Sequence, residues 1–83
     1  MALTVYVKAF SKKELNQRIR EQQQTPAGIV IAGMEFTPTN IRPIKLPDLP
    51  DGSIIKLFRT FDGAGNPISR NIARWNATNK RVL

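Results

Sequence analysis

The chain has 83 residues, of which 13 are Lys or Arg and 6 are Asp or Glu, giving a formal charge of +7, and it contains neither Cys nor His. Disulfide frameworks, zinc ribbons, thiol nucleophiles, His-based triads and His-ligated metals are thereby excluded. With 41 % apolar and 23 % charged residues the composition is that of a folded domain rather than a disordered tail. A chain this short buries only about 60–65 % of its unfolded surface, so one small domain with a limited core is expected.

The longest apolar stretch, Gly28 to Met34, is far short of the roughly 20 residues of a membrane span. The segment Met1 to Lys8 lacks the basic, apolar and small-residue order of a signal peptide. A cytoplasmic setting is the expectation, with no membrane partner.

Leu3, Val5, Val7 and Ala9 alternate with Thr4, Tyr6, Lys8 and Phe10, the period-two pattern of a strand. Ser11-Lys12-Lys13-Glu14 matches a capping box, and Phe10 and Leu15 occupy the two positions of a hydrophobic staple. A helix is expected from Lys12 to about Gln24, with Leu15 and Ile19 as its apolar seam. Asn16, Gln17, Arg18, Arg20, Glu21 and the Gln22–Gln24 run should face water, with Glu14 and Arg18 paired at i,i+4. Pro26 ends the helix by biasing Thr25 away from helical dihedrals.

Gly28 to Phe36 is almost wholly apolar and reads as a strand buried on both faces, with Gly33 marking a bulge or a close backbone contact. Ile41 to Leu46 is interrupted by Pro43, which cannot donate to a ladder, so it is an edge strand or an extended arm. Pro47 to Gly52 is turn chemistry, and Ser53 to Phe61 is the next strand. The Gly-containing loop Asp62 to Pro67 leads into Ile68 to Trp75. That segment reads as a strand with Ile68, Arg70, Ile72 and Arg74 on one side, or as a helix capped by Asn66. The strand is favoured because Asn76 to Asn79 forms a second turn at hairpin distance, after which Lys80 to Leu83 pairs back. The expected architecture is α+β: strand–helix–strand followed by an antiparallel meander, with one helix packed on a sheet.

Catalytic chemistry finds no support. Asp48, Asp51 and Asp62 lie in turns, Glu14 serves a cap, and Glu21 and Glu35 are isolated. The Asp62-Gly63-Ala64-Gly65-Asn66 run lacks the later Glu of an EF-hand and the Lys-Ser/Thr of a P-loop. No spacing indicates a metal or cofactor, and the chain reads as a non-enzymatic protein.

Charge distribution is more informative. Residues 1–41 carry five basic and three acidic groups, whereas residues 42–83 carry eight and three. No acid follows Asp62. Arg59, Arg70, Arg74, Lys80 and Arg81 are candidates to hold phosphates, Asn71 to bond a base edge, and Trp75 to stack on a base. The resulting expectation is a small basic nucleic-acid-binding module built on a cationic C-terminal hairpin. The bland reading of the same residues is a solvated basic face with Trp75 in the core. A shared face for Arg70, Arg74, Ile68 and Ile72 cannot be both dry core and phosphate surface. The alternative is an assembly or adaptor subunit, a homodimer or the partner of an acidic protein, which would bury the surplus apolar strand material.

Overall fold

A computed structural model describes residues 3–26, 28–29, 31–37 and 40–83, with the backbone alone described at 32, 36–37 and 40–42. The elements are β1 (Thr4–Lys8), α1 (Lys12–Gln23), β2 (Ala32–Thr37), β3 (Asn40–Lys45), a 3₁₀ turn (Leu46–Asp48), β4 (Ile54–Phe61), β5 (Pro67–Asn76) and β6 (Arg81–Val82). The six strands form one sheet in the order β3-β2-β1-β4-β5-β6.

An α+β architecture is therefore present, but the sheet is mixed rather than an antiparallel meander. β1 lies centrally, antiparallel to β2 and parallel to β4, with Val5 opposite Ile55 and Val7 opposite Leu57. The chain reaches that parallel position only after completing the β2–β3 hairpin and the 3₁₀ turn. Residues 67–76 are strand, paired antiparallel to β4, and the helical alternative is not adopted.

α1 begins where Ser11 caps it. The Ser11 Oγ accepts from the Glu14 amide at 3.1 Å, while the Glu14 carboxylate accepts from the Phe10 amide at 2.6 Å. The returning contact reaches Phe10 rather than Ser11, so the capping box is displaced by one residue. The staple does not form: Leu15 is fully buried, but Phe10 is 59 % exposed beneath the Arg59 guanidinium. Glu14 is occupied at the cap, so Arg18 does not pair with it and donates instead to the Lys8 carbonyl at 3.0 Å.

Leu15 and Ile19 press into a core built from one face of the sheet: Val5, Val7, Ile55, Leu57, Ala73, Trp75 and Val82, closed at one end by Leu46 and Leu49. Burying side chains of this size is worth about 1.5–3 kcal/mol each. Gly33 faces this layer, where an added Cβ would stand 3.3 Å from Val7 Cγ2 and 3.4 Å from Val5 Cγ2. Close packing, not a bulge, accounts for that glycine. β2 begins at Ala32, later than the apolar run suggested, and within it Gly33 is buried while Met34 and Glu35 are half-buried.

Two polar devices lock the ends of the sheet. The buried Ser53 hydroxyl accepts from the Leu3 amide at 3.1 Å. Asn16, expected to face water, instead pairs with the outer edge of β6: its Nδ2 donates to the Val82 carbonyl at 2.9 Å and its Oδ1 accepts from the Val82 amide at 2.7 Å. The expected edge position of the Pro43 strand is observed, since β3 pairs only with β2.

Candidate nucleic-acid interface

Strand alternation puts every residue that is not core-facing onto the opposite side of the sheet. α1 covers the Val5–Val7 side, so the other side is open. Register gives its layout. Thr4, Ile54 and Arg74 form one cross-strand row, and Met34, Tyr6, Lys56 and Ile72 form the next. Lys8 and Phe58 lie in a third row. Pro43 is opposite Met34, which places Lys45 on this side as well, and Arg81 lies opposite Asn76. Lys8, Lys45, Lys56, Arg74 and Arg81 thus share one surface.

Among the described residues no carboxylate projects from this side of the sheet, although Glu14 lines a hollow with Lys8 at its margin. Glu14 and Glu21 are on the helix, Asp48, Asp51 and Asp62 are in turns or loops, and Glu35 shares the covered side of β2 with Gly33. The cations are interleaved with apolar groups. Lys56 Nζ sits 5.6 Å from the centre of the Tyr6 ring. Phe58 is buried on this face by edge-on contacts with Tyr6 and Phe61, whose centroids lie 6.4 and 5.2 Å away. Phe61 is 50 % exposed and Ile72 59 % exposed. The face is neither dry core nor purely charged, which resolves the conflict posed by Ile72 beside Arg74.

The seven residues singled out from the sequence are divided by the fold. Arg74 and Arg81 lie on the uncovered face. Lys80 occupies the β5–β6 turn with a positive φ of 54°, and its carbonyl accepts from Gln23 Nε2 of α1. Arg59, Arg70 and Asn71 line a separate cavity beside Phe10. The cause of that separation is a pair of irregularities in the β4–β5 ladder. Leu57 pairs with Asn71, Phe58 with Ser69 and Thr60 with Ile68, so Arg70 and then Arg59 are skipped. Each bulge resets the alternation, and Arg70 no longer shares a face with Arg74.

Trp75 is a correction. It is 2 % exposed and packs in the core against β6, with its Nε1 lacking a hydrogen-bond partner. Its partners Ala73, Val82 and Ile55 fill the covered side of the sheet, so no base can reach the indole.

Three contributors to the uncovered face were not singled out from the sequence: Lys8, Lys45 and Lys56. Their signal was present in the alternation of β1, β3 and β4, since a lysine at a non-core position of a strand must project from the opposite side. What hid them was the missing knowledge that only one side carries a helix.

The electrostatics of the nearby loop are self-contained. Asp62 accepts from the Asn66 and Ala64 amides at 2.9 Å each, and the Asn66 contact chiefly holds its carboxyl below the ordinary aspartate range. Its charge is thus committed to the hairpin loop rather than to a neighbouring arginine. No helix among the described residues is long and apolar enough to cross a membrane. In comparisons with known proteins, the chain has no significant match to any family model, any curated protein or any solved structure.

Proposed function

We propose that this protein is a binding module for single-stranded nucleic acid, laid across the uncovered face of its sheet. The observation that carries the reading is the sorting of charge: five cations on that face and no carboxylate, in a chain whose six acids all lie elsewhere. Adjacent strands are about 4.8 Å apart, so cationic and aromatic side chains alternate at a spacing suited to phosphates and unpaired bases. Tyr6 and Phe61 take the stacking role first assigned to Trp75. Lys8, Lys45, Lys56, Arg74 and Arg81 supply the phosphate contacts. A duplex offers its bases only within grooves, whereas a broad surface of this kind meets the exposed ring faces of a single strand.

Binding of this type is driven by counterion release, with a slope of about −0.7 per phosphate on single strands. If all five cations engage, raising salt from 50 to 200 mM should weaken affinity by about 100-fold. The test is an equilibrium titration against a short oligonucleotide, using the Lys56→Glu/Arg74→Glu pair. Lys12→Glu/Lys13→Glu on the exposed start of α1 makes the same change in net charge. The sheet pair should weaken binding at least tenfold and the helix pair by far less. Equal losses, or no binding at low salt, would refute the reading.

A second reading, self-association through the same face, is favoured by the exposure of Ile72 and Phe61. Light scattering over a range of concentrations separates the two, since a strict monomer leaves no room for it.

A further inference from the structure

The two residues skipped by the β4–β5 ladder are both arginines, and both turn toward one cavity. It has a volume of about 460 Å³ and lies between the turn after β1 and the irregular part of the β4–β5 ribbon. Ile68 and Phe10 contribute exposed apolar surface over the buried Leu57, and Arg59, Arg70 and Asn71 the polar groups. Bulges recur where a strand must redirect a side chain toward a ligand. Here two successive bulges redirect two positive charges to the same space.

Like charges around one cavity repel unless something answers them, and among the described residues neither arginine is held in an ion pair. No carboxylate lines this cavity. Asp62 is held by the Asn66 and Ala64 amides, and Glu14, which accepts from the Phe10 amide, lines an adjoining hollow with Arg59 and leaves Arg70 without a carboxylate beside it. Arg59 is held by an aromatic ring, its guanidinium carbon 3.5 Å from the Phe10 centroid. Stacking fixes the plane of a guanidinium while leaving its N–H donors at the rim, so the fork remains available to a bidentate anion. Asn71 is oriented by donating Nδ2 to the Phe10 carbonyl at 3.2 Å, which presents its Oδ1 as an acceptor.

We infer that this cavity is a binding site for a phosphomonoester carried by a flat ring, a nucleoside monophosphate group, with Arg59 and Arg70 on the phosphate and the exposed Ile68 and Phe10 side chains against the ring. Such a group has a dianionic phosphate to satisfy two arginines and an apolar ring face to cover the aliphatic surface. A bare inorganic anion would leave the apolar lining wet, and a neutral nucleoside would leave the arginines unanswered. Two sources share this chemistry: a free mononucleotide and the phosphorylated end of a strand. The site lies apart from the uncovered face and stands whether or not that face binds nucleic acid.

The experiment is a titration of the full-length chain with adenosine 5′-monophosphate, adenosine and inorganic phosphate at low salt. Arginine Nε–H and Asn71 side-chain amide signals are followed in ¹H–¹⁵N spectra. The monophosphate should bind saturably, shift the Arg59, Arg70 and Asn71 signals, and exceed both adenosine and phosphate in affinity by at least tenfold. Arg59→Gln and Arg70→Gln should each weaken it by at least tenfold, with Trp75 emission confirming the fold. Lys56→Glu/Arg74→Glu should leave it unchanged, which separates this site from the sheet face. Ten-nucleotide strands with and without a 5′-phosphate then identify the source. A preference for the phosphorylated end, lost in Arg59→Gln, indicates strand ends, and equal affinities indicate free mononucleotide. Adenosine binding as tightly as the monophosphate, or saturable binding that leaves the three side-chain signals unmoved, overturns the inference. So does the absence of binding at millimolar monophosphate.

Discussion

Replacing Asn16 with Ala should cost more than any other single change on the solvent side of α1. The side-chain amide makes a reciprocal pair of hydrogen bonds with Val82, at 2.9 and 2.7 Å, in a partly buried position. The Arg74 and Leu83 backbones bond each other at 2.9 and 3.0 Å, so the intervening Val82 directs its own N–H and C=O away from β5. Without Asn16 both groups lose their partner. Each hydrogen bond contributes about 1 kcal/mol, and an unsatisfied, partly buried group adds to the penalty, for a total of about 2–3 kcal/mol. Stabilities of about 0.05–0.15 kcal/mol per residue give this 83-residue chain about 4–12 kcal/mol in all. The loss is thus a large fraction, equivalent to a fall in Tm of about 10–20 °C. Trp75 lies opposite Val82 and is buried, so its emission during urea unfolding is the natural readout. Asn16→Asp sharpens the test. A carboxylate still accepts from the Val82 amide, but it sets negative charge against the carbonyl and should be at least as damaging as Ala. An Asn16→Ala protein within 0.5 kcal/mol of the parent, or an Asp variant as stable as Asn, would refute the edge-pairing argument.

Ser53→Ala should destabilise by about 1–2 kcal/mol in the same assay, because it leaves the Leu3 amide without its acceptor. Gly33→Val should cost about 1–3 kcal/mol through crowding against Val5 and Val7, whereas Gly52→Val, with open space around it, should show only the strain of its φ of 82°. Asp62 has its folded pKa lowered, first by the Asn66 amide, so its stabilising contribution is present above the ordinary aspartate pKa of the unfolded chain and is lost as pH falls through the lower folded value. Melts of Asp62→Ala should accordingly show a flatter acid limb than the parent. An unchanged acid limb would count against the loop assignment.

The helix start, the edge character of the Pro43 strand and the final hairpin were all legible because their causes are local. Ser11, Glu14, Pro43 and the Asn76–Asn79 turn act on backbone within a few residues of themselves. The parallel β1–β4 pairing was not legible, since strand alternation states which side chains share a face but not which strand lies alongside. The candidate site failed for a related reason. A strict period of two placed Arg70 with Arg74, and a ladder irregularity has no mark in the residues that form it. Asn16 read as solvent-facing because its i,i+4 neighbours are polar, and nothing nearby announced that β6 would arrive beside it. Trp75 shows the reverse: its size favours the interior, and its cationic neighbours Arg74 and Arg81 alternate to the other side.

The parallel contact between β1 and β4 sets the order in which the molecule is able to assemble. Thr4 meets Ile54 and Lys8 meets Phe58, a separation of fifty residues in each case. Closing so long a loop is entropically expensive, and little repays it until several pairs form together. During synthesis the first strand must therefore wait, with only α1 and the β2–β3 hairpin for company, until β4 has left the ribosome. The two halves of the sheet are joined only through this late seam, and refolding should be slow for a chain of this size.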